Sequence, residues 1–146
     1  MKNHKEPLII GFYGESHTGK TSLIERIIRK LNDEGYKIAT IKKTNINMSI
    51  DSKGKDTARL SKAGARLVVF ASPIETSYLI KEENKTQDII KHIEQLGQFD
   101  FIFIEGANER QIKKIRLGNM EERENTIFTY NGEFEKLVEM MKANEF

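Results

Sequence analysis

The chain has 146 residues, 32% of them charged, and its 24 basic against 22 acidic side chains leave a formal charge of +2. That length predicts a single domain over 1–146 with a short flexible N-terminus at about 1–6, and the near balance of charge gives no case for nucleic acid as a partner. With no cysteine, disulfides, thiolate metal sites and cysteine nucleophiles are excluded.

His4, His17 and His92 show no metal-ligand spacing. No apolar run is long enough to span a bilayer, and Met1–Pro7 lacks the apolar core of a signal peptide. The expectation is a soluble cytoplasmic protein with no membrane partner.

In chain order, Leu8–Tyr13 reads as a buried strand. It runs into Gly14-Glu15-Ser16-His17-Thr18-Gly19-Lys20-Thr21, which fits the phosphate-loop pattern G-x-x-x-x-G-K-[ST] at every required position. From Lys20, the residues Leu23, Ile24, Ile27, Ile28 and Leu31 line one face of a helix that Gly35 ends. Strand, loop and helix in that order distinguish a nucleotide site from a turn that merely resembles one. Polyphosphate oxygens need several donors converging on a small volume, and curled backbone N–H groups supply them. Gly14 and Gly19 allow the curl, and the helix end points its positive dipole at the same place. Lys20 is expected on the β- and γ-phosphates, Thr21 on Mg²⁺, and Ser22 on the α-phosphate or simply exposed in the first turn.

Tyr36–Ile41 is the next strand, followed by a polar loop over 42–55. Basic residues cluster there at Lys42-Lys43 and Lys53-Gly54-Lys55, read with the nucleotide site rather than as a polyanion patch. Asp56 is a candidate N-cap for a short helix to about Ala63, stopped by Gly64. Asp51 and Asp56 could equally approach Mg²⁺ or hold a water, since long loops inside compact domains are often functional. Arg59 and Arg66 are candidates for a cationic finger.

Leu67–Ala71 is a fully apolar strand, Pro73 marks a turn, and Thr76–Ile80 is a possible antiparallel return. A helix runs from about Thr86 to Leu96, and Phe99–Ile104 is another buried strand. A carboxylate directly after such a strand is where phosphate-loop proteins hold Mg²⁺, often through water, and here that position carries Glu105, followed by Gly106. Asp100 reads as a strand-start residue. Ile112–Leu117 and Thr126–Thr129 are short strands, and Phe134, Leu137, Val138 and Met141 define a last amphipathic helix. Asn131 is either a base contact or part of an ordinary Asn-Gly turn with Gly132.

Alternating apolar strands and amphipathic helices predict an α/β, three-layer phosphate-loop fold: a mainly parallel sheet with an antiparallel hairpin extension. Ligands in such sheets bind at the carboxyl ends of strands. That puts the 14–21 loop, Lys42 onward, Ser72-Pro73 and Glu105-Gly106 on one rim.

These residues resemble the molybdopterin-guanine dinucleotide biosynthesis protein B (MobB) family. The resemblance rests on the loop Gly14–Thr21 with Ser22-Leu23, on Ile41-Lys42-Lys43-Thr44, on Asp51-Ser52-Lys53-Gly54-Lys55-Asp56-Thr57 with Arg59 and Ala63-Gly64-Ala65, and on Ile104-Glu105-Gly106. It runs from about Ile9 to Leu117. It implies a dimeric GTP-binding protein and a weak Mg²⁺-dependent GTPase. Such a protein assists nucleotide attachment to the molybdenum or tungsten pterin, with the guanylyltransferase, and molybdopterin itself, as partners. It also implies that part of the 66–81 hairpin extends the sheet toward a second subunit, and that Asp56 and Glu105 work beside the phosphates with Lys20. The family's histidine-rich stretch (H-T-H-H-D) is here Lys43-Thr44-Asn45-Ile46-Asn47, and no N-K-x-D guanine signature occurs. Three other readings share the loop: a small-molecule kinase, which would want an Arg-rich lid; a nickel-delivery GTPase, which would want Cys or His ligands; and a non-catalytic adaptor, in which nucleotide only orders the 43–55 loop.

Overall fold

The computed structural model describes residues 5–146. The flexible start expected at about 1–6 and His4 fall wholly or mostly on residues 1–4, outside the described residues. Contacts divide the chain into two compact units: one of residues up to Thr44 together with Ile90–Phe146, the other of Asn45–Ile89. The fold is three-layer α/β, with a five-stranded parallel sheet and a separate two-stranded antiparallel sheet.

In the first unit the strands are β1 (Leu8–Tyr13), β2 (Ile38–Lys42), β5 (Phe101–Glu105), β6 (Lys114–Leu117) and β7 (Thr126–Tyr130), in the spatial order β2-β5-β1-β6-β7. The central strand β1 is hydrogen-bonded on both sides, to β5 and β6. Alternation then sorts its side chains. Ile10 and Phe12 point to the same face as Phe101 and Phe103, where the rings of Phe12 and Phe103 meet edge to face with centroids 5.5 Å apart. That face is covered by α1 (Lys20–Asp33) and α4 (Phe134–Ala143), which bury Leu23, Ile24, Ile27 and Leu31 and Leu137, Val138 and Met141 against it. Each fully buried aliphatic side chain contributes about 1.5–3 kcal/mol. Packing of this stripe therefore outweighs helix propensity, which varies by at most about 0.7 kcal/mol among ordinary residues.

Helix α1 ends in a Schellman motif. The Tyr36 N–H donates to the Leu31 carbonyl at 3.1 Å and the Gly35 N–H to that of Asn32 at 2.9 Å, with Gly35 at φ +88°. Tyr36 is consumed by this cap, so β2 starts two residues later than the sequence suggests. At the other end β2 gains Lys42. Similarly, β5 begins at Phe101 because Asp100 is held by the Lys37 backbone: its Oδ2 accepts from the Lys37 N–H at 2.8 Å, and its own N–H donates to the Lys37 carbonyl. Glu105 is the last residue of β5 rather than the residue after it.

The second unit holds α2 (Asp56–Lys62) and the hairpin β3 (Leu67–Ala71) and β4 (Thr76–Ile80). Helix α3 (Thr86–Leu96) begins in this unit and ends in the other. Asp56 is the first helical residue, and Lys55 takes the cap position. The capping role expected of Asp56 is therefore corrected. The four-residue connection 72–75 closes β3 onto β4, with the Ser72 hydroxyl accepting from the N–H groups of Ile74 and Glu75. So short a link allows only antiparallel pairing. β3 is thus no strand of the parallel sheet, and Ser72-Pro73 turns a hairpin instead of ending one of its strands, as the expected rim required. Among the described residues no helix is long and apolar enough to cross a membrane.

Candidate functional site

The first strand delivers the loop. After Tyr13 the chain passes so close to the end of β6 that a Cβ on Gly14 would lie 2.5 Å from the Leu117 carbonyl oxygen. Only glycine fits there. The loop then turns through His17 at φ +65° and Gly19 at φ +84° into α1. Thr18 fastens the turn, its hydroxyl donating to the Glu15 carbonyl at 2.7 Å. The Lys20 ammonium donates to the carbonyls of Gly14 and Glu15 at 2.8 and 2.9 Å. It is thereby held over the mouth of the loop, as a flexible point charge can be. The first N–H groups of α1 have no intrahelical acceptor, which makes this helix start receptive to anions.

β5, beside β1, brings the second component. The Glu105 carboxylate is largely buried, at 15% side-chain exposure, and its Oε1 accepts from the Thr21 hydroxyl at 3.0 Å. The same oxygen pairs with the Lys42 ammonium at 3.2 Å. Lys42 faces Glu105 because the two residues are register partners of β2 and β5. Next to them Gly106 takes φ +86°, and a Cβ there would meet the Lys43 carbonyl oxygen at 2.9 Å. Lys43 turns its ammonium to Glu109.

Together these segments line a cavity of about 380 Å³. Ser16, His17, Gly19, Lys20, Thr21 and Ser22 come from the loop and the start of α1, and Lys42, Lys43, Glu105 and Gly106 from the strand ends. Gly14, Glu15 and Thr18 shape the loop behind it. The Thr21 hydroxyl and Glu105 carboxylate are neighbouring oxygen donors, the set that a hard divalent cation takes. The residues therefore fit Mg²⁺ as well as a polyphosphate.

Of the remaining expected residues, Asp51, Asp56, Arg59 and Arg66 belong to the second unit and Asn131 to the first. Asp56, in the second unit, is exposed, with Arg59 Nη1 4.0 Å from its Oδ1. In the same unit Asp51 Oδ1 accepts from the Thr57 hydroxyl at 2.9 Å, while its Oδ2 is buried with no hydrogen-bond partner among the described residues. The Arg66 carbonyl closes the hairpin by accepting from Lys81 N. Asn131 follows β7, and its backbone N–H donates to the Glu133 carboxylate at 2.9 Å.

Sequence reading missed a fully buried cation, Lys114, whose ammonium donates to the carbonyls of Ile112 and Glu124 at 2.7 and 2.8 Å. Burial pushes this lysine below its ordinary value. Nearby, the Arg123 guanidinium stacks 4.6 Å from the centre of the Tyr13 ring and donates to the Ala107 carbonyl. The segment Ile112–Leu117 carries Lys113, Lys114 and Arg116 close together, and nothing in that pattern singles out Lys114 as the buried one.

Comparison with known proteins bears on this geometry. The sequence pattern of the family described as "Molybdopterin guanine dinucleotide synthesis protein B" matches residues 9–142. A putative molybdopterin-guanine dinucleotide biosynthesis adapter protein of Methanocaldococcus jannaschii is 39% identical over 101 residues, covering 69% of this chain and 41% of that protein. The corresponding adapter protein of Haemophilus influenzae is 29% identical over 131 residues, covering 82% and 67%. The chain thus spans about two fifths of the length of the first relative and two thirds of the second. The crystal structure of Bacillus subtilis MobB is similar with a TM-score of 0.73 over 92% of this chain and 96% of that one, at 18% identity.

Proposed function

Because the chain belongs to the molybdopterin guanine dinucleotide synthesis protein B family, we propose that it is a Mg-GTP-binding accessory protein in the making of that dinucleotide. The observation that carries the reading is the 3.0 Å contact between Thr21, at the end of the phosphate loop, and Glu105, at the end of the neighbouring strand. Two segments far apart in sequence meet where a triphosphate and its cation would lie. In this reading the backbone N–H groups at 16–20 cradle the β-phosphate. Lys20 exchanges the carbonyls of Gly14 and Glu15 for phosphate oxygens, and Ser22 reaches the α-phosphate. Thr21 and Glu105 would hold Mg²⁺, which supplies charge neutralisation between the phosphates. Lys42 holds the Glu105 carboxylate in position through its ion pair.

The side chains about the cavity are binders and charge neutralisers, so we expect GTP turnover to be slow and nucleotide binding to carry the function. The partner is the guanylyltransferase that joins the guanine half to molybdopterin. A homodimer fits the second unit. Register places Leu67, Val69, Tyr78 and Ile80 on one face of the hairpin, and all four are about half exposed. Such a face suits burial against a second copy.

Dinucleotide formation by a purified guanylyltransferase, measured with and without this protein, tests the reading. The wild-type chain should raise the yield or rate, and Lys20→Ala should abolish the gain. An equal gain from wild type and Lys20→Ala would overturn a nucleotide-dependent role.

A further inference from the structure

A second cavity, of about 440 Å³, opens between α1 and the edge strand β2. It adjoins the loop cavity and shares Thr21, Lys42 and Glu105 with it. Its character is different. Register sets Thr40 beside Phe103 on the sheet face that α1 covers. Ile24 and Ile28 of α1 close the apolar side. The rim is charged: Glu25 and Arg29 form an ion pair one helical turn apart, and both remain largely exposed, as does Lys42. An apolar interior of this size with a few polar groups at its edge is the usual form of a small-molecule site, roughly 300–1,000 Å³. Nothing in triphosphate binding by the loop requires it.

We propose that this cavity takes the pterin half of the dinucleotide: a planar 2-amino-4-oxo heterobicycle bearing a phosphate monoester. The proposal rests on the reading above. Its argument is chemical. A flat ring gains apolar contact from Ile28 and Ile24, which line the helix side of the cavity. The amino and ring N–H donors of such a bicycle match the Glu25 carboxylate and the Thr40 hydroxyl at the opening. A phosphate monoester matches Arg29 and Lys42. The family's product is a dinucleotide, whose halves are joined through phosphates, so the pterin half enters as a phosphate ester. A ligand seated here would present that phosphate at Lys42, beside the Thr21–Glu105 end of the nucleotide site. Guanine carries the same donor edge as a pterin, so guanosine monophosphate is the rival occupant.

The test is a fluorescence titration of the full chain with 6-hydroxymethylpterin phosphate, with and without saturating Mg-GTP analogue. It is run on wild type, Thr40→Arg and Arg29→Glu. A fluorescent GTP analogue measures the loop site in parallel and reports that each variant is folded. Saturable pterin binding is expected, weakened about tenfold or more in both variants, with GTP-analogue affinity changed less than about twofold and no displacement by excess guanosine monophosphate. Three results would overturn the proposal: GTP binding without pterin binding, pterin binding indifferent to both substitutions, or displacement by guanosine monophosphate as readily as by pterin. Loss of GTP binding with pterin binding intact and sensitive to Thr40→Arg would sink the nucleotide reading while upholding the cavity's ligand.

Discussion

Gly14 and Gly19 are both required by the phosphate loop, for different reasons. At Gly14 the obstacle is space, because a Cβ would press on the Leu117 carbonyl at 2.5 Å and on Thr18 Oγ1 at 3.0 Å. At Gly19 there is nothing within 4 Å, and the obstacle is the backbone at φ +84°. Gly19→Ala should cost about 1–2 kcal/mol from left-handed strain alone. Gly14→Ala should cost about 1–3 kcal/mol as overpacking and should also move the loop away from β6. Urea unfolding of the two variants beside nucleotide titration separates these effects. Gly14→Ala is expected to lose more nucleotide affinity per kcal/mol of stability than Gly19→Ala, and equal losses would mean that the approach to β6 does not shape the site. The loop was legible in the sequence because its residues are contiguous and each has one task. Lys42 was marked there as basic, but its pairing with Glu105 was not, because register across β2 and β5 creates it.

Among the elements, helices were read most closely. The stripes of α1 and α4 recur every three or four residues and are set by burial on one face, whereas that of α3 is only part-buried and leaves Leu96 exposed. Strand ends were read less well, since caps and cross-strand bonds decide them, as Tyr36 and Asp100 illustrate. The packing of α1 against α4 is tied at its edge by Lys142, whose ammonium lies 2.7 Å from Glu34 Oε2. This contact holds the Glu34 carboxyl below its ordinary 4.5, with Lys30 adding to the effect, and pushes Lys142 up in turn. A depressed carboxyl contributes stability that is fully present above its unfolded value and lost as pH falls through its folded one. The urea midpoint should therefore fall as pH drops below about 4.5. Glu133, lowered by its own backbone N–H and that of Asn131, acts in the same direction. Lys142→Met should flatten this acid limb without abolishing it, because Glu133 remains. An acid limb of unchanged slope in the variant would show that the Lys142 contact does not couple folding to pH.

At the scale of the whole molecule, alternation of strand and helix made the parallel sheet and the edge that carries the 14–21 loop legible. The composition of Leu67–Ala71 did not reveal that β3, among the described residues, pairs with β4 alone, because an apolar strand reads alike in a sheet centre and in a hairpin. An isolated two-stranded hairpin is marginal in water. An exposed apolar face of Leu67, Val69, Tyr78 and Ile80 on such a hairpin argues for a covering surface. If a second copy supplies it, sedimentation should find a dimer for the wild type and a monomer for Val69→Asp/Tyr78→Asp. A monomeric wild type at micromolar concentration would contradict the homodimer.

The most direct measurement is calorimetric titration with GTP and with ATP in Mg²⁺, on the wild type and on Lys20→Ala. GTP should bind more tightly than ATP. Removing one charged donor from the phosphates should weaken GTP by about 1.5–3 kcal/mol, roughly 10- to 150-fold. Preference for ATP, or GTP binding unchanged in Lys20→Ala, would contradict a guanine-nucleotide site built on this loop.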